Sequence, residues 1–249
     1  MLRTVIALLF LLLTTYCQGQ NSFREEQMTY QRVQNAYAEK WVEIDTLLRS
    51  KGIEREKLEI YMRAFKREKE YEIWGRNAGD ERFVHLLTVP ICRLSGTLGP
   101  KRQQGDLQVP EGFYHVNAHN PWSRFHLSFC INYPNRSDRI LGIHGNLGGN
   151  ICIHGSCVTI GCIPLTDEII KYIYVLYVEA KNNGQSRPPI TIFPARLEED
   201  TFSALMENYS DNADKTGLWT DLKAGYTYFE VNKKLPSIRF LDNGRHRIY

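Results

Sequence analysis

The chain has 249 residues, with 31 Lys+Arg against 28 Asp+Glu, and a formal charge of only +3 excludes a dedicated nucleic-acid binder. A hydrophobic share of 43% with 24% charged residues is the composition of a globular protein with a real core, which excludes disorder for the bulk of the chain. The one strongly apolar run, Val5 to Leu13, falls well short of the roughly 20 residues a helical span needs, so the chain is expected not to cross a bilayer.

Arg3, that apolar run and the polar stretch Thr14 to Gly19 have the three-part form of a secretory signal peptide. Residues 1–19 are therefore expected to be removed, leaving Gln20 as the new N-terminus. Lipidation at Cys17 is disfavoured, because Tyr16 is large where that processing wants a small residue. Of six cysteines, cleavage leaves Cys92, Cys130, Cys152, Cys157 and Cys162, an odd number in a compartment that permits disulfides, so at least one thiol stays unpaired. The sequons at Asn135 and Asn208 are what chance supplies and decide nothing.

In chain order, Ser22 with Glu25 reads as a capping box that opens one long amphipathic helix, with Val33, Tyr37, Trp41, Ile44 and Leu48 at helical spacing up to Gly52. Its polar face carries both charge signs and predicts packing on the body of the protein. From Leu58 the period turns to two, and Leu58, Ile60, Met62, then Tyr71, Ile73, Phe83, His85 and Leu87, predict short strands. Ser95 to Asp106, rich in turn formers and running to Pro110-Glu111-Gly112, predicts a surface loop before strands at Phe113–Val116 and Phe125–Ile131. Thr166 to Ala180 predicts a helix capped by Thr166 and stopped at Asn182-Asn183-Gly184, and Ile190 to Phe193 a strand. Short helices follow, then a strand at Tyr226 to Val231 and a hairpin turning at Asn243-Gly244. The expected organisation is a signal peptide (1–19), an N-terminal helical segment (20–56), a catalytic body (57–195) and a C-terminal extension packed on it (196–249).

The densest chemistry lies between Asn150 and Asp167. A cysteine at its free pKa is only a few per cent thiolate near neutral pH and needs a neighbouring base, for which His154 is the candidate beside Cys162. Gly161 permits a sharp turn whose amides, residues 160 to 162, are positioned to converge on an oxyanion. Residue by residue, the plainer alternative is that the cysteines are buried or disulfide-bonded and His154 is a satisfied core histidine. A zinc site from Cys152, His154, Cys157 and Cys162 is a further alternative, against which stands the absence of two separated ligand pairs.

His154-Gly155 followed by Thr159-Ile160-Gly161-Cys162 resembles the catalytic signature of the L,D-transpeptidase (YkuD-domain) family. The likeness is closest to its short-loop, YafK-like branch of murein L,D-transpeptidases and peptidoglycan amidases. Pro90-Ile-Cys92, Ser95-Gly-x-Leu-Gly99-Pro100-Lys101, Gly105-Asp106, Pro110 to Tyr114, Tyr133-Pro-Asn135, Phe193-Pro194 and Gly225 to Glu230 resemble that branch in the same order. The chain departs from the wider family in having Ile160 where most members carry a second histidine, and in a shorter insert between His-Gly and the cysteine motif. The longer spacing keeps a rival open, since His144-Gly145 stands 18 residues before Cys162.

The resemblance implies an α+β fold: a mainly β catalytic sandwich with an N-terminal helix and a C-terminal helix and strand extension. It implies Cys162 as nucleophile, His154 as base, and Gly161, Thr159 and Gly155 as the residues that shape the motif. Lys101, Arg102 and Tyr133 are candidates for binding substrate. Metal and cofactor are not implied. The implied substrate is the peptidoglycan stem peptide, attacked by Cys162 to form a thioester outside the cytoplasmic membrane. An amine on another stem peptide or on a wall-linked protein gives transfer, and water gives hydrolysis. A wall-binding module without turnover is the non-enzymatic alternative.

Overall fold

Along β1 (Leu58–Phe65), Leu58, Ile60, Met62 and Ala64 point one way and Tyr61, Arg63 and Phe65 the other, and both rows are buried. A strand buried on both faces needs a layer on each side. The computed structural model describes residues 22–249 apart from residue 144, so the signal-peptide reading, Cys17, the Gln20 terminus and His144 lie outside the described residues. Among the described residues no helix is long and apolar enough to cross a membrane.

β1 is antiparallel to β2 (Glu70–Asn77), which pairs with the edge strand β3 (Val84–Pro90). On its other side β1 lies parallel to β8 (Pro189–Phe193), and the sheet continues through β4 (Gly112–Asn120), β5 (Ser128–Ile131), β6 (Cys152–His154) and β7 (Ile163–Pro164). These eight strands, in the order β3-β2-β1-β8-β4-β5-β6-β7, form one curled sheet flanked by helices, the expected α+β architecture. On one face lie α2 (Gln31–Ser50) and α4 (Asp167–Asn182), whose apolar stripes meet Ile60, Met62, Ile73, Ile190 and Phe129. Thr166 caps α4 as expected, its hydroxyl accepting from the Ile169 amide at 3.2 Å.

The opposite face is covered by α6 (Ala213–Asn232), which follows the shorter α5 (Glu199–Asn208), and here the sequence reading is corrected: Tyr226 to Val231 is helical, not a strand. Alternation within Tyr-x-Tyr-Phe-x-Val gives way to the longer helical pattern of Leu218, Trp219, Leu222, Gly225, Tyr226 and Phe229, all buried. Gly225 sits where a β-carbon would lie 2.9 Å from the Phe113 ring, so its lack of a side chain lets the helix approach the sheet. α6 encloses Arg63, which is 1% exposed, ion-paired to Glu72 and Glu230 and ringed by Phe65, Trp74, Tyr226 and Phe229. The terminal hairpin, β9 (Ile238–Phe240) and β10 (His246–Ile248), packs beside α6 through the Arg245–Asp221 pair.

Two further expectations change. The capping box at Ser22 and Glu25 forms, but it opens a short helix α1 (Phe23–Gln27), and the chain turns at Met28–Tyr30 before α2 starts. The break lets Gln27 bury and accept from Tyr174 while Gln34 caps the Met28 carbonyl. The loop before Gly112 is not a free surface loop, because Lys66 donates to the carbonyls of Gly99 and Val109 and pairs with the buried Glu111 at 2.8 Å. Glu111 in turn accepts from Gly99 N and Trp219 Nε1, tying the loop to α6. Asn135 is also buried, capping α3 (Arg136–Leu141) and donating to the Phe113 carbonyl, so its sequon is closed in the folded chain.

Glu179 of α4, fully buried, holds the N-terminal helices to the body: its carboxylate accepts from Tyr37 Oη at 2.5 Å, from Arg55 at 2.8 Å and from Arg24 at 3.0 Å. Burial and the adjacent carboxylate push the Tyr37 phenol well up, so it remains a donor at any physiological pH. Glu179→Leu leaves the buried Tyr37 hydroxyl and two guanidinium groups without their shared acceptor. It is expected to cost about 3 kcal/mol in urea unfolding, the range for breaking a buried ion pair.

Candidate active site

The site is built by register. Ser128 pairs with His154 and Cys130 with Cys152 across β5 and β6, while His154 pairs with Pro164 across β6 and β7. Paired residues, and residues two apart along a strand, share a face, so Ser128, Cys130, Cys152 and His154 line one side of the sheet. One residue before β7, Cys162 comes level with Cys152, whose amide donates to Cys162 Sγ at 3.4 Å. All five side chains border the same cleft of about 430 Å³, with Asn120, Ser123, Arg124, Phe125 and Asn150.

The turn between His154 and Cys162 is held at both ends. Thr159 Oγ1 donates to the Cys162 carbonyl at 2.7 Å and accepts from the Gly161 amide at 3.1 Å. Gly161 has φ +135°, and a β-carbon there would lie 3.1 Å from the Gln108 carbonyl, so the position requires glycine on both counts. A β-carbon on Gly155 would lie 2.5 Å from Asp167 Oδ1, which accepts from Ser156 N, and 2.9 Å from His126 Cβ and the Phe125 carbonyl. The glycine after the histidine therefore admits the 121–127 turn against the strand end.

The cysteines sort themselves. Cys92 bonds to Cys157 and Cys130 to Cys152, leaving Cys162 as the free thiol among the described residues. The zinc alternative falls with this, because three of its four ligands would have to be thiols and two are consumed in disulfides. By the chain-entropy relation, cross-links spanning 65 and 22 residues stabilise by about 4 and about 3 kcal/mol. Both fasten the strand and turn that carry the site.

His154 is 2% exposed, and its Nδ1 lies 2.5 Å from the Gly155 carbonyl. A carbonyl only accepts, so the proton resides on Nδ1 and the lone pair on Nε2. Burial lowers the imidazole pKa, opposed by that hydrogen bond. Burial pushes the Cys162 thiol up, opposed by the Cys152 amide and by Lys101. Both groups therefore rest neutral near pH 7. No counter-charge stands close enough to outweigh desolvation, so the geometry suits proton removal during attack rather than a standing thiolate.

A second cleft, of about 350 Å³, also reaches Phe125, His154 and Cys162 but is walled by Arg93, Val158, Thr159 and Ile160. Ile160 is 80% exposed at its rim. Lys101, Arg102 and Tyr133 border neither cleft. Lys101 is buried against Asp106 at 2.5 Å, and Arg102 makes a two-pronged pair with Asp214. Tyr133 donates to the Leu147 carbonyl at 3.1 Å and so pins the loop leading to Asn150. The residues that do line the clefts, Arg93, Arg124 and above all Phe125, lie in turns without a motif. The Phe125 ring rests 4.7 Å from that of His154 at 30°.

No family model matches the chain. It is 36% identical over 189 residues to "Putative L,D-transpeptidase YafK" of Escherichia coli (strain K12), a match covering 75% of this chain and 72% of that protein. Among solved structures it is similar to the helical cell shape determining protein Pgp2 of Campylobacter jejuni, at 20% identity, 80% coverage of both chains and a TM-score of 0.41. Bd1075 of Bdellovibrio bacteriovorus matches at 18% identity, 73% of this chain, 76% of that one and a TM-score of 0.40. The chain belongs to the L,D-transpeptidase family, on its YafK-like side.

The resting protonation state is open to direct measurement. Iodoacetamide alkylation of Cys162, followed against pH, is expected to rise with a midpoint above the roughly 8.5 of a free thiol. A plateau of reactivity extending below pH 7 would instead reveal a standing thiolate–imidazolium pair.

Proposed function

We propose that this chain is an exported cysteine acyl-transferase that acts on peptidoglycan stem peptides through a thioester on Cys162. The observation that carries this reading is the sharing of both clefts by one free thiol and one histidine whose Nε2 is left available. Family membership supports peptidoglycan as the substrate class, and two disulfides suit a protein that works outside the reducing cytoplasm.

Cys162 Sγ attacks the carbonyl on the L-centre of the stem peptide's diamino acid, while His154 Nε2 takes the thiol proton. Negative charge develops on the carbonyl oxygen. The Gly161 amide is occupied by Thr159, so the donors left to meet that charge in the turn are the amides of Ile160 and Cys162. Collapse breaks the carbon–nitrogen bond, and His154 returns its proton to the departing amine. An acceptor amine then attacks the thioester, giving up a proton to His154 and restoring the thiol. Water in place of the amine yields a shortened peptide, so the acceptor alone separates transferase from hydrolase. A wall-binding module would have no need of a free thiol beside an unencumbered imidazole.

Mass analysis of wall fragments incubated with the protein tests this directly. Cross-links between the third residues of two stem peptides mark transfer, and shortened peptides or released protein mark hydrolysis. Cys162→Ala should give neither product. His154→Ala should lose at least about 100-fold in rate, the lower range of general acid–base assistance, while His144→Ala retains most of it. A wild-type protein that changes no wall fragment, or a Cys162→Ala that still does, would overturn the assignment.

A further inference from the structure

The helix that carries Arg32 enters none of the chemistry above, yet it reaches the site. Arg32 projects from the first turn of α2, and its Nη1 donates to the Ser123 carbonyl at 2.6 Å and to the His126 carbonyl at 2.8 Å. Both acceptors belong to the 121–127 turn. Within that turn Ser123 Oγ accepts from the Phe125 amide at 3.1 Å, and His126 adopts φ +69°, a left-handed conformation unusual for a residue with a side chain. The turn ends at Leu127, whose carbonyl accepts from the Gly155 amide at 3.2 Å. Phe125, at its centre, is 40% exposed, borders both clefts and lies on the His154 ring.

A seven-residue connection with a strained residue and an exposed aromatic would not hold one conformation on its own. Two backbone carbonyls brought to a single guanidinium nitrogen supply the missing restraint, as charge-assisted hydrogen bonds. Among the described residues Arg32 has no ion pair, so its charge is committed to this turn and to the neighbouring Trp122 ring, 5.7 Å away.

We propose that Arg32 is a positioning residue of the reaction: it clamps the 121–127 turn from α2 and thereby holds the Phe125 ring over the His154 imidazole where the two clefts meet. The proposal rests on the reading of His154 as the base, and it makes the N-terminal helix part of the catalytic machinery. With the clamp in place the ring covers one side of the imidazole, excludes water and fixes its orientation towards Cys162. Without it, the turn samples other conformations and the ring leaves.

The experiment has one arm free of turnover and one that depends on it. A phenyl ring stacked on an imidazole shifts the carbon-bound His154 ring protons in the NMR spectrum. Phe125→Ala should remove that shift, Arg32→Gln should move the resonances most of the way to the Phe125→Ala position, and Arg32→Lys should leave them nearer the wild type. In the muropeptide assay Arg32→Gln should lower kcat roughly tenfold with KM within about twofold, since the substrate still binds while the base is misplaced. The double variant should fall no more than about twofold below the lower single variant, because both act through one contact. Wild-type resonance positions in Arg32→Gln overturn the clamp, and so does a multiplicative loss in the double variant. A wild type that turns over no muropeptide defeats the functional reading instead, and the NMR arm still decides whether Arg32 holds the ring.

Discussion

Everything at the site depends on the pairing of three short strands at one end of the sheet. β6 is three residues long and β7 two, yet the registers of β6 on β5 and of β7 on β6 decide that Cys152, His154 and Cys162, the residue just before β7, face the same way. A slip of one residue would turn His154 into the core and bring Ile153 to the cleft. Strands this short hold register poorly by backbone hydrogen bonds alone. The Cys130–Cys152 bond between directly opposed residues, and the Cys92–Cys157 bond that anchors the following turn, supply the constraint that length does not.

The same economy extends outward. The long loop before β4 is anchored by the buried Lys66–Glu111 pair and presses the Gln108 carbonyl against Gly161. α6 secures that pair through Trp219, and Glu179 draws the N-terminal helices onto α4. The helical segments that flank the sheet in the sequence thus serve as its outer restraints. Charged residues do this work from buried positions, where each is matched by several donors or acceptors, as burial of charge requires.

The sequence made the turn around Cys162 legible because its signature is local: a glycine with the wrong φ for other residues, a threonine that ties the turn, a histidine eight positions earlier. The sheet's strands and α4 were legible from periodicity and caps. What escaped was set by contacts across the chain. The Tyr226–Val231 segment alternates like a strand, and only the sheet face it covers shows why it is helical. Lys101 and Arg102 look like free cations in a loop, whereas Asp106 and Asp214 occupy them. Phe125 carries no motif, and its place on His154 follows from a turn whose conformation is imposed by a helix almost a hundred residues earlier in the sequence. The thiol's raised pKa likewise belongs to burial, which no spacing of residues reveals.

The proposed acyl transfer requires Cys162 to carry the acyl group between donor and acceptor. Rapid acid quenching of the protein during incubation with a stem tetrapeptide, followed by proteolysis and mass analysis, measures it most directly. An adduct of the acyl portion is expected on the Cys162 peptide alone, released by hydroxylamine as a thioester is. An adduct on another residue, or product formed while Cys162 stays unmodified at every quench time, would contradict it.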